Sequence, residues 1–417
     1  MEKVRIGVIG GRRGRSMMNY ARHANNAQLV AICDFREDVL TAMKQECGED
    51  GISYYSDYDA FLTHDMDAVV LANYANEHAP FAVKAMKAGK HVFSEVLPVQ
   101  TMQEAVALIE AVEETGKIYA YGENYCYMAA PYEMRKLYRE GKIGEFEYGE
   151  GEYIHNCESI WPSITYGEQD HWRNNMYATF YCTHSIGPLI HITGLRPVRV
   201  TGFEGSKTQR RLRTGAKGGQ FGMELIELEN GGIIKSIHGD LYVDSIWYSV
   251  YGGKGSMETA REIVGSDKYN RIHIHADEYS GGYDTAKTET YLPTRAHDET
   301  AKAYGHGNSD FYTMYNFIRK IQGDPEADII DVYEALDMFL PGLFAYRSIL
   351  NGGIPMEIPN LRDKAAREQF RNDTMCSDPK AAGDQYVPAF SKGNPVIDDA
   401  VYEEIARKWE HQKAAKK

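Results

Sequence analysis

Two stretches of this chain hold residue types that can do chemistry together. The first is the turn Gly10-Gly11-Arg12-Arg13-Gly14, with Asp34 further along. Glycines let a backbone approach a pyrophosphate closely, and a helix starting beyond them offers free N–H groups and a positive dipole end. A carboxylate at Asp34 accepts both ribose hydroxyls of an adenosine and repels a 2′-phosphate. The second stretch is Tyr181-Cys182-Thr183-His184. Its imidazole and phenol share one helical turn, and His184 is the candidate to take a hydroxyl proton while hydride leaves the same carbon. Tyr153 and His155 alternate along another segment, so a regular strand points both to one face.

These groups need elements to hold them. Val4, Ile6, Val8 and Ile9 form a short β-branched run that reads as a buried parallel strand. It enters the glycine turn and then a helix over 16–22. The turn is one residue shorter than G-x-G-x-x-G, but the strand before it, the helix after it and Asp34 make it a dinucleotide site. Asp34 favours NAD, while Arg12, Arg13, Arg15 and Arg36 leave NADP open. Further strands are expected at 29–33, 68–72, 91–93 and 118–121. Thr101 and Glu104 form a capping box for a helix over 102–114. This is the alternation of a doubly wound α/β sheet, whose ligands lie at the carboxyl ends of the strands. Asn73, Glu95 and Asn124 fall at such ends and join the expected cofactor contacts. His78, near a helix start, is grouped with them, packing or capping being its other reading.

After Gly122 the pattern changes. Alternating segments at 146–155, 198–203, 223–228, 233–238, 246–251 and 271–275 predict a large, mostly antiparallel open sheet in an α+β domain. Asn230-Gly231 marks a hairpin. Helices are expected over 130–140, 183–192, 310–321 and 333–350. The expected division is 1–122, 123–370 and an extended arm with a terminal helix over 371–417, in which Val401, Ile405 and Trp409 share a face.

Among 417 residues the formal net charge is −14, which argues against nucleic acid and anionic membrane as partners. No apolar stretch approaches a membrane span. The first strand begins at once, leaving no room for a signal peptide. Six scattered cysteines without a C-x-x-C read as reduced thiols in a cytoplasmic protein. Thirty tyrosines offer flat faces with hydroxyls, which suit sugar rings and equally suit a Tyr-rich sheet.

Val8-Ile9-Gly10, Asp34, Asp67 to Val70, His78, Ala88 to Val92, Ser94-Glu95 and Thr101 to Ala105 together resemble the Gfo/Idh/MocA oxidoreductases. The segments 305–311 and 330–335 agree more loosely. The resemblance implies a Rossmann domain, an open-sheet second domain, NAD or NADP, a sugar or polyol substrate, and dimers or tetramers. Two departures matter. The usual Glu-Lys-Pro is here Glu95-Val96-Leu97-Pro98, without the lysine that handles the substrate hydroxyl. In place of the usual catalytic helix stands Tyr181-Cys182-Thr183-His184-Ser185-Ile186-Gly187-Pro188. That run, with Glu123-Asn124, 151–155 and His171-Trp172-Arg173, resembles the NAD-dependent glycosidases of glycoside hydrolase family 109. The resemblance implies that Tyr181 and His184 line the sugar site, with Tyr153 as a further acid or base.

His155, Tyr127 and His306 are expected on the substrate side. His306 has helix capping as its other reading. Trp172 and Arg173 are expected to reach the cofactor, or else to act as a buried strut. Arg210, Arg211, Arg213 and Lys217 lie in a Gly-rich loop and read as solvated. His273, His275 and Asp277 share a strand, but no convergent ligand set accompanies them, so no metal is expected. The function expected is oxidation of a sugar hydroxyl at C3 as the transient step of redox-neutral glycoside cleavage. The alternatives are a dehydrogenase releasing a keto-sugar and a non-catalytic NAD-binding sensor.

Overall fold

The computed structural model describes residues 2–48, 50–261, 270–277 and 286–415. They divide into two compact units. The first comprises Met1–Ala129, Thr294–Leu336 and Leu361–Asp373; the second comprises Ala130–Pro293, Asp337–Asn360 and Thr374–Lys417. The division is therefore not linear. The chain leaves the first unit close to the expected boundary and then returns to it twice.

In the first unit, β1 (Val4–Ile9), β2 (Ala27–Cys33), β3 (Ser53–Tyr55), β4 (Ala68–Leu71), β5 (His91–Ser94) and β6 (Tyr119–Tyr121) form one sheet in the order β3-β2-β1-β4-β5-β6. Every pair is parallel. Ile6, Val8 and Ile9 are fully buried, as a central strand covered on both faces requires. The strand order reverses between β1 and β4, which opens the ligand crevice at their carboxyl ends. Thr101 and Glu104 form the expected capping box at Met102–Thr115.

Side chains explain both returns. The helix Ser309–Ile321 packs Phe311 against Tyr20 of the helix Arg15–His23, with ring centroids 5.5 Å apart. The Ile330 carbonyl accepts the Tyr121 N–H at the edge strand β6. Arg367 grips Glu113 through two hydrogen bonds, and Arg371 grips Glu110 in the same way. These forks fasten 361–373 onto the helix Met102–Thr115.

In the second unit, nine described strands form one sheet. They are β7 (Phe146–Ile154), β8 (Pro197–Glu204), β9 (Phe221–Leu228), β10 (Ile233–Gly239), β11 (Ser245–Gly252), β12 (Gly255–Thr259), β13 (Ile272–Asp277), β14 (Ala286–Tyr291) and β15 (Met356–Glu357). Their order is β14-β13-β12-β11-β7-β10-β9-β8-β15. All pairs are antiparallel except β7 with β10. The expected hairpin joins β9 to β10, with Gly231 at φ 86°. The helix Thr183–Thr193 lies on one face. Gly151 of β7 permits that packing: a Cβ there would stand 1.9 Å from the Ser185 carbonyl oxygen.

The segment read as an extended arm carries a short helix, Pro379–Ala382. The terminal helix Asp399–Ala414 buries Tyr402, Ile405 and Trp409. Ile405 packs with Trp161 and Ala216, and Val401 lies at the margin of that cluster. The six cysteines are free thiols. Among the described residues, no helix is long and apolar enough to cross a membrane.

Candidate active site

The first unit builds a cradle at the carboxyl ends of β1, β2, β4 and β5. Gly10 takes φ 93°, and a Cβ there would meet the Ala72 carbonyl oxygen at 2.1 Å. At Gly14 an added Cβ would meet the Gly10 carbonyl oxygen at 2.7 Å. Only glycine permits this closeness of turn, strand and helix. The Asp34 carboxylate accepts the N–H of Gly11 at 2.8 Å and of Arg36 at 2.9 Å. Burial pushes this carboxyl up, and those two N–H groups pull it back. Asn73 gives its amide N–H to Glu77, which leaves its buried Oδ1 without a partner among the described residues; the buried Oδ1 of Asn124 is in the same position. A glycine cradle, an oriented carboxylate and two orphaned amide oxygens fit a dinucleotide.

The arginines of the turn are largely spoken for. Arg15 pairs with Glu46, and Arg36 with Asp38. Arg13 lies 2.7 Å from Glu95 Oε1 and makes two 3.3 Å hydrogen bonds to Asp310. The Glu95 contact is at ion-pair distance but off the donor axis, since that oxygen accepts no hydrogen bond. Burial pushes Glu95 up to about 7; Arg13 opposes this and Asp310 adds to it. Asp310 also accepts from Asn124 Nδ2 at 3.0 Å and faces His306 Nδ1 at 3.1 Å. Burial alone pushes Asp310 up, but the His306 hydrogen bond and the charge of Arg13 outweigh it and hold it well below the usual range.

Arg13 is engaged by Asp310 and lies against Glu95, so it is not free for a phosphate. His306 faces Asp310 within the first unit. His78 faces the Leu97 carbonyl through Nδ1 and the Asn73 carbonyl through Nε2, and burial lowers it to about 4. A buried neutral ring spent on backbone is packing, not a cofactor contact. Tyr127 is buried and gives its hydroxyl to the Asp328 carbonyl at 2.7 Å, which removes it from the substrate side. The sequence does not display the partners of Arg13, His78 and Tyr127 because they lie far along the chain or on the backbone.

In the second unit the Tyr and His residues do converge. The Tyr153 ring lies 4.6 Å from that of His184 and 6.3 Å from that of Tyr181, and Tyr181 lies 5.2 Å from His184. The Tyr153 hydroxyl is 3.1 Å from His155 Nδ1. Burial lowers His155; Asp244 and Asp240 oppose this, and His184 and Arg173 add to it. Arg173 lies 4.4 Å over the Trp172 ring and 5.4 Å over the Tyr181 ring. Its guanidinium thus belongs to the same cluster. Tyr248, which sequence reasoning passed over, gives its hydroxyl to the His184 carbonyl.

The arginine-rich loop is solvated only in part: Arg213 is exposed, whereas Arg211 is buried. Arg210 and Arg213 both pair with Glu158, Arg210 also binds Asp240, and buried Arg211 lies over Trp161. Arg-rich, Gly-rich sequence looks exposed until the carboxylates that neutralise it are seen. His273 and His275 face the hydroxyls of Thr290 and Thr288 across the β13–β14 pair. Among the described residues no group of three or more metal-ligating side chains gathers.

Residues 4–123 match the NAD-binding Rossmann domain of the Gfo/Idh/MocA oxidoreductase family, and residues 203–366 match the C-terminal domain of glycosyl hydrolase 109. A glycosyl hydrolase family 109 protein of Solibacter usitatus is 29 % identical over 395 residues, covering 86 % of this chain and 88 % of that one. Glycosyl hydrolase family 109 protein 1 of Bacteroides thetaiotaomicron is 25 % identical over 399 residues, covering 86 % and 85 %. Two solved structures share the fold. The aldose-aldose oxidoreductase of Caulobacter crescentus has a TM-score of 0.67 at 18 % identity, covering 86 % of this chain and 100 % of that one. Levoglucosan dehydrogenase, solved with NADH and L-sorbose, has a TM-score of 0.69 at 17 % identity and the same coverage.

Proposed function

We propose that this NAD-dependent, carbohydrate-acting enzyme of the Gfo/Idh/MocA superfamily, allied through its C-terminal domain to glycoside hydrolase family 109, cleaves glycosides by transient oxidation at C3 of the sugar. The observation that carries this reading is the Tyr153–His155–Tyr181–His184 cluster, in a chain whose Val96 stands where superfamily dehydrogenases have lysine. Two phenols and two imidazoles supply more proton-transfer groups than one oxidation requires.

Bound NAD would supply a reversible hydride acceptor: Gly10, Gly11 and Gly14 would admit its diphosphate, Asp34 would hold the adenosine ribose, and Asn73 and Asn124 would offer their orphaned oxygens. His184 takes the proton of the C3 hydroxyl as hydride leaves C3 for the bound nicotinamide, and the resulting ketone acidifies the C2 proton. Tyr153 passes its own proton to neutral His155 and removes the C2 proton, with Tyr181 as the second phenol at the site. The C1 substituent leaves, water adds at C1, C2 regains a proton, and the C3 hydroxyl is restored. The sum is glycoside plus water giving sugar plus alcohol, with no net redox change.

A plain dehydrogenase is the second reading, favoured by His184 alone being sufficient as the base. Incubating the protein with aryl glycosides and free sugars in deuterated buffer separates the two. Cleavage with deuterium at C2 and no accumulation of NADH supports the glycosidase; stoichiometric NADH with a keto-sugar and no cleavage sinks it. Exposed Phe203, Leu225, Ile233 and Tyr251 lie on one sheet face and support a homo-oligomer, which light scattering tests. Free cysteines support a cytoplasmic setting.

A further inference from the structure

The second unit also buries a carboxyl group that the mechanism above leaves unused. Glu224 of β9 has no exposed surface, and neither carboxylate oxygen accepts a hydrogen bond among the described residues. Its one close polar neighbour is His238 of β10, with Nδ1 3.5 Å from Glu224 Oε2. His238 is itself buried, and its Nε2 has no partner among the described residues. A buried carboxylate supported so thinly is costly, and an apolar residue of similar volume often serves stability better. Its retention calls for a task.

The geometry points to one. His238 Nδ1 is also 3.4 Å from Ser185 Oγ, and Ser185 Oγ is 2.8 Å from Ser236 Oγ. Ser185 gives its hydroxyl proton to the Cys182 carbonyl at 2.8 Å. The Ser185 oxygen is therefore an acceptor toward His238, which places a proton on Nδ1, between Ser185 and Glu224. Ser185 directly follows His184. In the parallel pair of β10 with β7, His238 stands opposite Tyr153, so both project to the same face. Gly151, two residues before Tyr153, allows the helix to press Ser185 down onto this spot.

We propose that Glu224 and His238 form a buried dyad that positions the acid–base pair, with Glu224 favouring a proton on the Nδ1 of His238 through its nearness, and His238 holding Ser185, the residue that follows His184 in the helix. This rests on reading Tyr153 and His184 as that pair. Both dyad members are positioning residues. Ser185 from the helix and Ser236 from β10 stand beside the dyad. The rings of Tyr153 and Tyr181 stand around His184, and His155 hydrogen-bonds Tyr153.

The test uses the full-length, NAD-loaded protein as wild type, Glu224→Gln and Glu224→Met. The readouts are the thermal midpoint, kcat and KM for whichever sugar turnover the wild type shows, and the titration midpoint of His184. The last comes from NMR of 15N-histidine-labelled protein, with His184→Gln giving the assignment. The dyad predicts a thermal midpoint for Glu224→Met equal to or above wild type. It predicts a kcat lowered by about tenfold with KM within about twofold, and a His184 midpoint moved by about half a pH unit. Glu224→Gln, which keeps the shape but not the charge, falls between. Wild-type kcat and an unmoved His184 midpoint in Glu224→Met overturn the dyad. So does failure of both variants to fold, which makes the pair a folding element. A wild type that makes only keto-sugar sinks the glycosidase reading alone, because the dyad is then read on that turnover and on the NMR titration.

Discussion

Arg13 and Asp310 meet through paired hydrogen bonds of 3.3 Å, although one lies in the glycine turn and the other opens a helix nearly three hundred residues later. The pair ties the edge of the dinucleotide cradle to the returning segment. Asp310 is almost fully buried while Arg13 is one-third exposed, so the pair is worth less than a fully buried one, on the order of 1–2 kcal/mol. Asp310→Asn is expected to speed NAD dissociation by about tenfold, followed as loss of bound NAD after gel filtration. Unchanged retention would show that the cradle holds without this tie.

Asp34 is expected to set the choice of cofactor, since Arg15 and Arg36 already have carboxylate partners. Asp34→Ser is expected to weaken NAD by about tenfold to a hundredfold and to narrow the gap to NADP. Fluorescence titrations with both nucleotides check this.

The close approach at Gly151 leaves no room for a methyl group. Gly151→Ala is expected to cost about 2–3 kcal/mol and to lower kcat with it, because the helix that shifts carries His184. Denaturant unfolding gives the first quantity and steady-state kinetics the second. A stable variant with reduced kcat would mean that the helix moves without loosening the core.

Two buried groups act on stability with opposite signs. Glu95 is raised to about 7, so the folded state holds its proton where the unfolded chain loses it, and stability is lost as pH rises from about 4.5 to 7. His78 is lowered to about 4, so the unfolded chain takes up a proton first, and stability is lost as pH falls from 6.5 to 4. Relative to wild type, Glu95→Gln should lose the fall in thermal midpoint as pH rises from about 4.5 to 7, and His78→Asn the fall as pH drops from 6.5 to about 4, so the two difference profiles slope in opposite directions across the same range. Profiles parallel to wild type would refute these assignments.

The Tyr153–His155 hydrogen bond gives the mechanism its sharpest kinetic contrast. Tyr153→Phe is expected to lower kcat by about a hundredfold or more, and His155→Gln by about tenfold with a displaced pH optimum. Full turnover in Tyr153→Phe would transfer the role to Tyr181.

The Rossmann half is legible in the sequence because its signals are local: a β-branched run, a glycine turn, a capping box. The Tyr–His cluster is legible for the same reason, since its four members lie within two short motifs. What escapes is whatever depends on distant partners. Arg211 reads as solvated until Asp240 and Trp161 close around it. Glu224 reads as an ordinary polar strand residue, although it alternates with buried Ile226 and Leu228 and so shares their inward face. Strand β14, Ala-Lys-Thr-Glu-Thr-Tyr, lies at the sheet edge and has no apolar face to announce it. The parallel pairing of β7 with β10 follows from where the chain crosses, which no local pattern records.

The double return of the chain to the first unit sets an order of events during synthesis. A ribosome that has released residues 1–129 has made every strand of the parallel sheet, yet Arg13 still lacks Asp310 and Tyr121 still lacks the Ile330 carbonyl. Glu110 and Glu113 wait longer still, for Arg371 and Arg367. The nucleotide-binding half is thus the first begun and cannot be the first finished: most of the second unit emerges before it closes. A fragment cut at residue 129 would carry the whole glycine motif and none of the bonds that seal it.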